Sequence, residues 1–209
     1  MNGSKVGRAA LAGIIGPVGF LAVSFLMAAL RGDVIRAQGW ASWPSSMSLG
    51  GAAGVPEILA FLLLAASYPI FAFGAVRPSL GGGLAWRAFL GVAAGDLLLA
   101  FPTDAPNAGT SWHGVLHFVG VLLVTLATLV AGVAVTARTS SRPSWRPWRF
   151  LGAPVLVAAV VIGFIGFIGG FEHGWAKVTY VLGITLPVPL IAVLIRRDVR
   201  AAHEASAKS

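Results

Sequence analysis

The stretch FPTDAPNAGTSWHGVLH, residues 101–117, sets one carboxylate, three hydroxyls and two imidazoles between long apolar runs. His113 and His117 are four apart, so on a helix both imidazoles share one face about a turn apart, the spacing that two ligands of one metal ion need. Asp104 is placed to fold back over the start of that helix, as a third ligand or as the carboxylate that orients an imidazole. The metal-ligand candidates are therefore Asp104, His113 and His117, and zinc or another divalent metal is the ion they would hold. The competing reading is structural. In it His113 sits at the interface, capped by Ser111 or Thr110, and His117 bonds to a neighbouring helix.

Four more residues carry chemistry. Asp96 lies inside an apolar run, where an acid costs about 2.5–3.5 kcal/mol unless it is paired or neutral. It is either a proton-relay or site carboxylate, or one interhelical hydrogen bond. Glu57 has the same two readings, and its place near an interface lets it snorkel. Ser48, in SSMSLGG, either caps the following helix, the favoured reading, or joins the polar cluster. His173, beside Glu172, comes from another loop and can reach the same rim.

The elements that must position these residues are apolar helices. The chain of 209 residues is 57% hydrophobic and only 11% charged, against roughly 25% charged in a soluble domain. Its apolar residues form six blocks, at about 9–30, 55–76, 85–101, 113–136, 150–170 and 177–195. Most reach the about 20 residues that cross a bilayer, and helices are the form that satisfies the backbone in lipid. The fold class is thus all-α: one transmembrane domain over 1–209, a helical bundle of about six spans. The first run is longer than the 7–15 apolar residues of a signal peptide, so it reads as a retained span. No internal repeat stands out, and the tail AAHEASAKS reads as frayed.

Charge assigns the sides. Of the 15 basic residues, 12 fall before the first block, in the second and fourth connections, or after the last block, and only Arg31, Arg36 and Lys177 fall on the other side. The positive-inside bias then puts both termini in the cytoplasm and the 101–117 stretch outside. The expected localisation is the cytoplasmic membrane, multi-pass. The net charge of +8 records that bias and not a nucleic-acid surface, since no folded basic domain is present. RTSSRPSWRPWR, the fourth connection, reads as a cytoplasmic loop whose Trp145 and Trp148 anchor at the interface and whose arginines meet anionic lipid headgroups. The glycines of GFIGFIGG suit close helix packing. With no cysteine, disulfides, thiolate metal sites and a cysteine nucleophile are excluded. No nucleophile elbow or phosphate loop is present.

Three segments carry a family resemblance. SMSLGG after the first block, FPTDAPNAGTSWHGVLH between the third and fourth, and HGWAKVTYVLG opening the last resemble the DUF998 family of six-span prokaryotic membrane proteins of uncharacterised function. The resemblance implies the six-span fold and marks Ser48, Asp104, His113 and His117, with Lys177 in the place of a basic residue after a glycine. The family's S-E-L-G form is departed from here, because Leu49 follows Ser48 directly. A serine, an aspartate and histidines at one face also look like the recipe of membrane-embedded metal-dependent amide hydrolases of the alkaline ceramidase type, although the order of motifs differs. Whether the chain is an enzyme stays open. The leading expectation is a non-enzymatic membrane protein, such as an accessory or small-ligand binder, with a polar rim on the extracytoplasmic side. A hydrolase of lipid or amphiphile amides and a small transporter come next, and a one-haem electron carrier is last.

Overall fold

The computed structural model describes residues 3–40, 43–104, 109–168 and 174–207. Among these residues the regular structure is all helical, and five helices are long and apolar enough to cross a membrane: Gly3–Leu30, Gly51–Leu80, Trp112–Thr139, Pro143–Gly166 and Gly174–Ser206. The chain is a multi-pass membrane protein in that sense. In chain order the α-helices are α1 Gly3–Leu30, α2 Gly32–Gln38, α3 Val55–Phe71, α4 Arg77–Leu80, α5 Leu84–Leu99, α6 Trp112–Thr139, α7 Ala153–Ile168, α8 Gly174–Thr185 and α9 Pro187–Ser206. A π turn at Ala72–Val76 joins α3 to α4, and it follows Pro69, which brings no N–H to the ladder. Leu186 and Pro187 mark the junction of α8 and α9.

The block expected at 85–101 differs from the rest. Its helix, α5, has 16 residues, a rise of about 24 Å at 1.5 Å per residue, short of the about 30 Å hydrocarbon. It is bracketed by turn-formers. Gly81 ends α4 with a φ of 84°, and Pro102 follows within three residues of the last helical residue. What α5 lacks in length it gains in proximity, because glycines let its backbone meet α6. A Cβ at Gly120 would stand 2.8 Å from the Gly95 carbonyl oxygen, and one at Gly95 would stand 2.8 Å from the Val124 nitrogen. Gly13 of α1 likewise admits the ring of Phe71 from α3. Pairs such as Gly13 with Phe71 and Gly19 with Leu63, or Gly91 with Ala127 and Gly120 with Leu98, run in opposite senses, so α1/α3 and α5/α6 are antiparallel.

Two connections expected to be loops are built structure. The residues after α2 fold back over one end of the bundle. Buried Trp43 donates from Nε1 to the Ser24 carbonyl at 3.2 Å, and Arg31 holds the carbonyls of Met47 and Leu49 at 2.8 and 2.6 Å. Ser48 does not cap α3. Gly54 is the N-cap, without a side-chain bond, and Ser48 donates to Ser45 in its own 3-10 turn at 2.7 Å. At the opposite end, RTSSRPSWRPWR is helical from Pro143 onward. Trp145 and Trp148 are not interfacial anchors but fully buried, because each indole N–H finds an acceptor inside: Asp198 at 2.8 Å and Thr136 at 2.8 Å.

Glu57 does not snorkel. Its side chain is fully buried, and Ser24 of α1 donates to Oε1 at 2.6 Å. The α5/α6 seam yields a prediction. Gly120→Ala puts a methyl against backbone that cannot rotate away, and overpacking of this kind costs about 1–3 kcal/mol. Gly7→Ala, whose Cβ meets nothing within 4 Å, is neutral. Thermal unfolding in detergent should separate the two variants, and equal melting temperatures would contradict the seam.

Candidate functional site

The 101–117 stretch begins with the exit from α5 and ends in the first turns of α6. Ser111 is the N-cap of α6 and accepts from the Gly114 N–H at 3.1 Å. Its hydroxyl proton goes to Asp104 Oδ1 at 2.5 Å, and its own N–H goes to Asp104 Oδ2 at 3.1 Å. The carboxylate thus closes the connection onto the helix start. The Ser111 hydroxyl, then its N–H, hold the Asp104 carboxyl below the ordinary carboxylate range.

His113 and His117 do different work. The Nδ1 of His113 lies 3.0 Å from the Pro102 carbonyl and 2.9 Å from Ser111 Oγ, with Asp104 Oδ1 at 3.8 Å. A carbonyl only accepts, so Nδ1 carries the proton. His117 is buried, and its Nδ1 bonds to the Phe101 carbonyl at 2.7 Å. The same rule puts the proton on Nδ1, which leaves Nε2 to accept from Ser45 Oγ at 2.8 Å. His117 therefore ties the end of α5 and the turn after α2 to α6.

Asp104, His113 and His117 do share one end of the bundle, but each is committed to hydrogen bonds of its own. Among the described residues no group of three or more His, Asp or Glu side chains is arranged to hold a metal ion. The serine that reaches His117 is Ser45, one turn before Ser48. His173 and Glu172 lie outside the described residues.

Two hollows share a wall here. The rim pocket is lined by Gln38, Ser45, Thr103, Asp104, His117 and Lys177, among others. Beneath it a smaller cavity of about 50 Å³ is lined by Asp96, Tyr68, Tyr180, Thr128, Thr185 and Lys177, with apolar neighbours. Ser45, Val121 and Lys177 belong to both linings. Tyr180 donates to Thr125 Oγ1 at 2.5 Å, because the Thr125 proton is already given to the Val121 carbonyl at 2.7 Å. Lys177 Nζ sits 5.7 Å from the centre of the Tyr180 ring. Asp96 is 2% exposed, and its Oδ2 has no hydrogen-bond partner. The interhelical hydrogen bond expected of a packing role is not made by that oxygen.

Residue spacing did not single out Ser45, Tyr68 or Tyr180. One signal was present. The chain has only two tyrosines, both lie within apolar blocks, and both line the cavity that holds Asp96. No family model matches the chain, and no curated protein or solved structure is detectably similar to it.

Two outcomes test this geometry. The folded-state pKa of Asp104 lies below its unfolded value, so its contribution to stability is fully present above about pH 4 and is lost as pH falls through the lowered folded value. The melting-temperature gap between wild type and Asp104→Asn should therefore narrow as pH drops from 6 to 3, and a gap that widens refutes the arrangement. Ser45→Ala strands the buried Nε2 of His117, a loss of about 1–3 kcal/mol. Ser48→Ala, which breaks a bond within one turn, should cost less in the same unfolding assay.

Proposed function

We propose that this chain is a six-pass membrane protein of the DUF998 kind, with both termini cytoplasmic, that binds a small ligand from the extracytoplasmic side. α5 is the third pass, short but embedded against α6. The basic residues support this orientation. Arg142 bonds to the Ser79 carbonyl and Arg197 to the Ser144 carbonyl at one end of the bundle, while Arg31 and Lys177 lie at the other, with the polar rim.

The observation that carries the binding role is the unpartnered oxygen of Asp96 in a cavity that shares three wall residues with the rim pocket. A buried carboxylate oxygen without a donor is costly. Glu57 Oε2 is also without a partner, but Glu57 lines neither hollow and has Ser24 on its other oxygen. Asp96 is therefore the group that a ligand ammonium completes, and Lys177, on the facing helix, is the cation that receives a ligand carboxylate. The ligand class that uses both is a small zwitterion of amino-acid size.

The test is a thermal-shift series on detergent-purified protein with glycine, alanine, ethylammonium and acetate at millimolar concentration. A zwitterion should raise the melting temperature of wild type more than either single-charge analogue and leave Asp96→Asn unmoved. No shift from any ammonium-bearing compound, or an equal shift in Asp96→Asn, overturns the proposal.

A further inference from the structure

At the end of the bundle opposite the rim, a groove of about 390 Å³ lies along α1 and α9. Gly3, Gly7 and Leu11 of α1 form one wall at intervals of four, a spacing that keeps them on one helix face. Arg196, Arg200 and His203 of α9 form the other at intervals of four and three, also on one face. Arg8 flanks the α1 side, Val199 packs against Gly3, and Glu204 is the one acid in the lining.

Three arginines at this end are held by the protein's own groups, and Arg77 and Arg87 lie over the Trp86 ring. Arg142 is engaged by the Ser79 carbonyl and by Asp198 at 3.8 Å, Arg149 by the Ser140 carbonyl, and Arg197 by the Ser144 carbonyl. Asp198 is occupied further by Trp145. Arg8, Arg196 and Arg200 make no hydrogen bond and no ion pair among the described residues. Three guanidinium groups around one groove repel one another unless an anion sits between them, and the planar donor fork of arginine matches phosphate oxygens.

The walls decide which phosphate. Leu11 lies two turns further along α1 than Gly3, toward the membrane-crossing part of the helix, and Val199 packs against Gly3 at the outer end of the groove. An occupant meets Arg200 at the mouth, Arg196 and Arg8 further in, and the apolar side chain of Leu11 deepest along α1. That gradient fits an amphiphile and not a free ion. We infer that the α1/α9 groove is a site for one anionic phospholipid, its phosphate held by Arg8, Arg196 and Arg200 and the start of an acyl chain laid along Gly7 and Leu11.

The test uses the full chain in a neutral detergent and measures lipid adducts by native mass spectrometry, with phosphatidylglycerol, phosphatidylcholine and inorganic phosphate as probes. Wild type should prefer phosphatidylglycerol over phosphatidylcholine, and the Arg8→Gln/Arg196→Gln/Arg200→Gln variant should lose about tenfold or more in affinity. A second triple variant, Arg77→Gln/Arg87→Gln/Arg146→Gln, removes the same charge from the same end outside the groove and should lose less than about threefold. Gly7→Leu keeps every charge and fills the groove, since nothing lies within 4 Å of a Cβ at Gly7. It should lose affinity like the groove variant, which separates a site from a diffuse field even if the arginine variant folds poorly. Equal losses in the two arginine variants, undiminished binding in Gly7→Leu, or displacement of the lipid by millimolar inorganic phosphate would each overturn the assignment.

Discussion

A polar atom inside a helical bundle in lipid has no water to turn to, and the arrangement of this protein follows from where each such atom finds its partner. Trp43 is drawn into the bundle because its indole N–H reaches the Ser24 carbonyl, and Ser24 in turn gives its proton to Glu57. At the other end Trp145 and Trp148 turn inward onto Asp198 and Thr136. His117 spans three segments through two bonds. In each case a connection that hydropathy alone leaves outside the bundle is pinned to it through a hydrogen bond of a buried ring. Asp96 is one departure from this rule, and it lines a cavity in place of a packed seam.

The short α5 depends on a second constraint, close packing. Between lipid-facing helices there is little hydrophobic drive to associate, so contact area and backbone proximity matter more than side-chain bulk. Gly95 and Gly120 bring α5 and α6 to backbone contact. The same approach sets Asp96, the neighbour of Gly95, beside the cavity that Tyr68 of α3 and Tyr180 of α8 also line. A helix too short to rely on length is held by its fit, and that fit places the buried carboxylate.

The two ends of the bundle present different chemistry. The rim end has carboxylate, imidazole, hydroxyl and ammonium groups around hollows that lead inward. The opposite end has an excess of arginines, some consumed in holding the connections and some left facing a groove that runs inward to Leu11. A small polar solute suits the first and a membrane amphiphile suits the second.

Long apolar blocks, turn-formers between them and a lopsided basic charge were legible in the residues alone, and they sufficed for a helical multi-pass chain with its polar chemistry at one end. Those features depend on local composition and on the length of hydrocarbon to be crossed, so no contact between distant residues is needed to read them. A cap at Ser111 or Thr110 was legible for the same reason, because a cap is a contact within four residues, and the structure puts it at Ser111. Tertiary structure alone decided that His117 bonds to Ser45, 72 positions away, and not to Ser48, and that His113 and His117 part company despite their shared helix face. It also decided that two tryptophans turn inward and that both tyrosines meet Asp96 around one cavity. These outcomes turn on helix rotation and on how a folded connection lies over the bundle end. A period of 3.6 residues specifies a face but not the neighbour that face will meet.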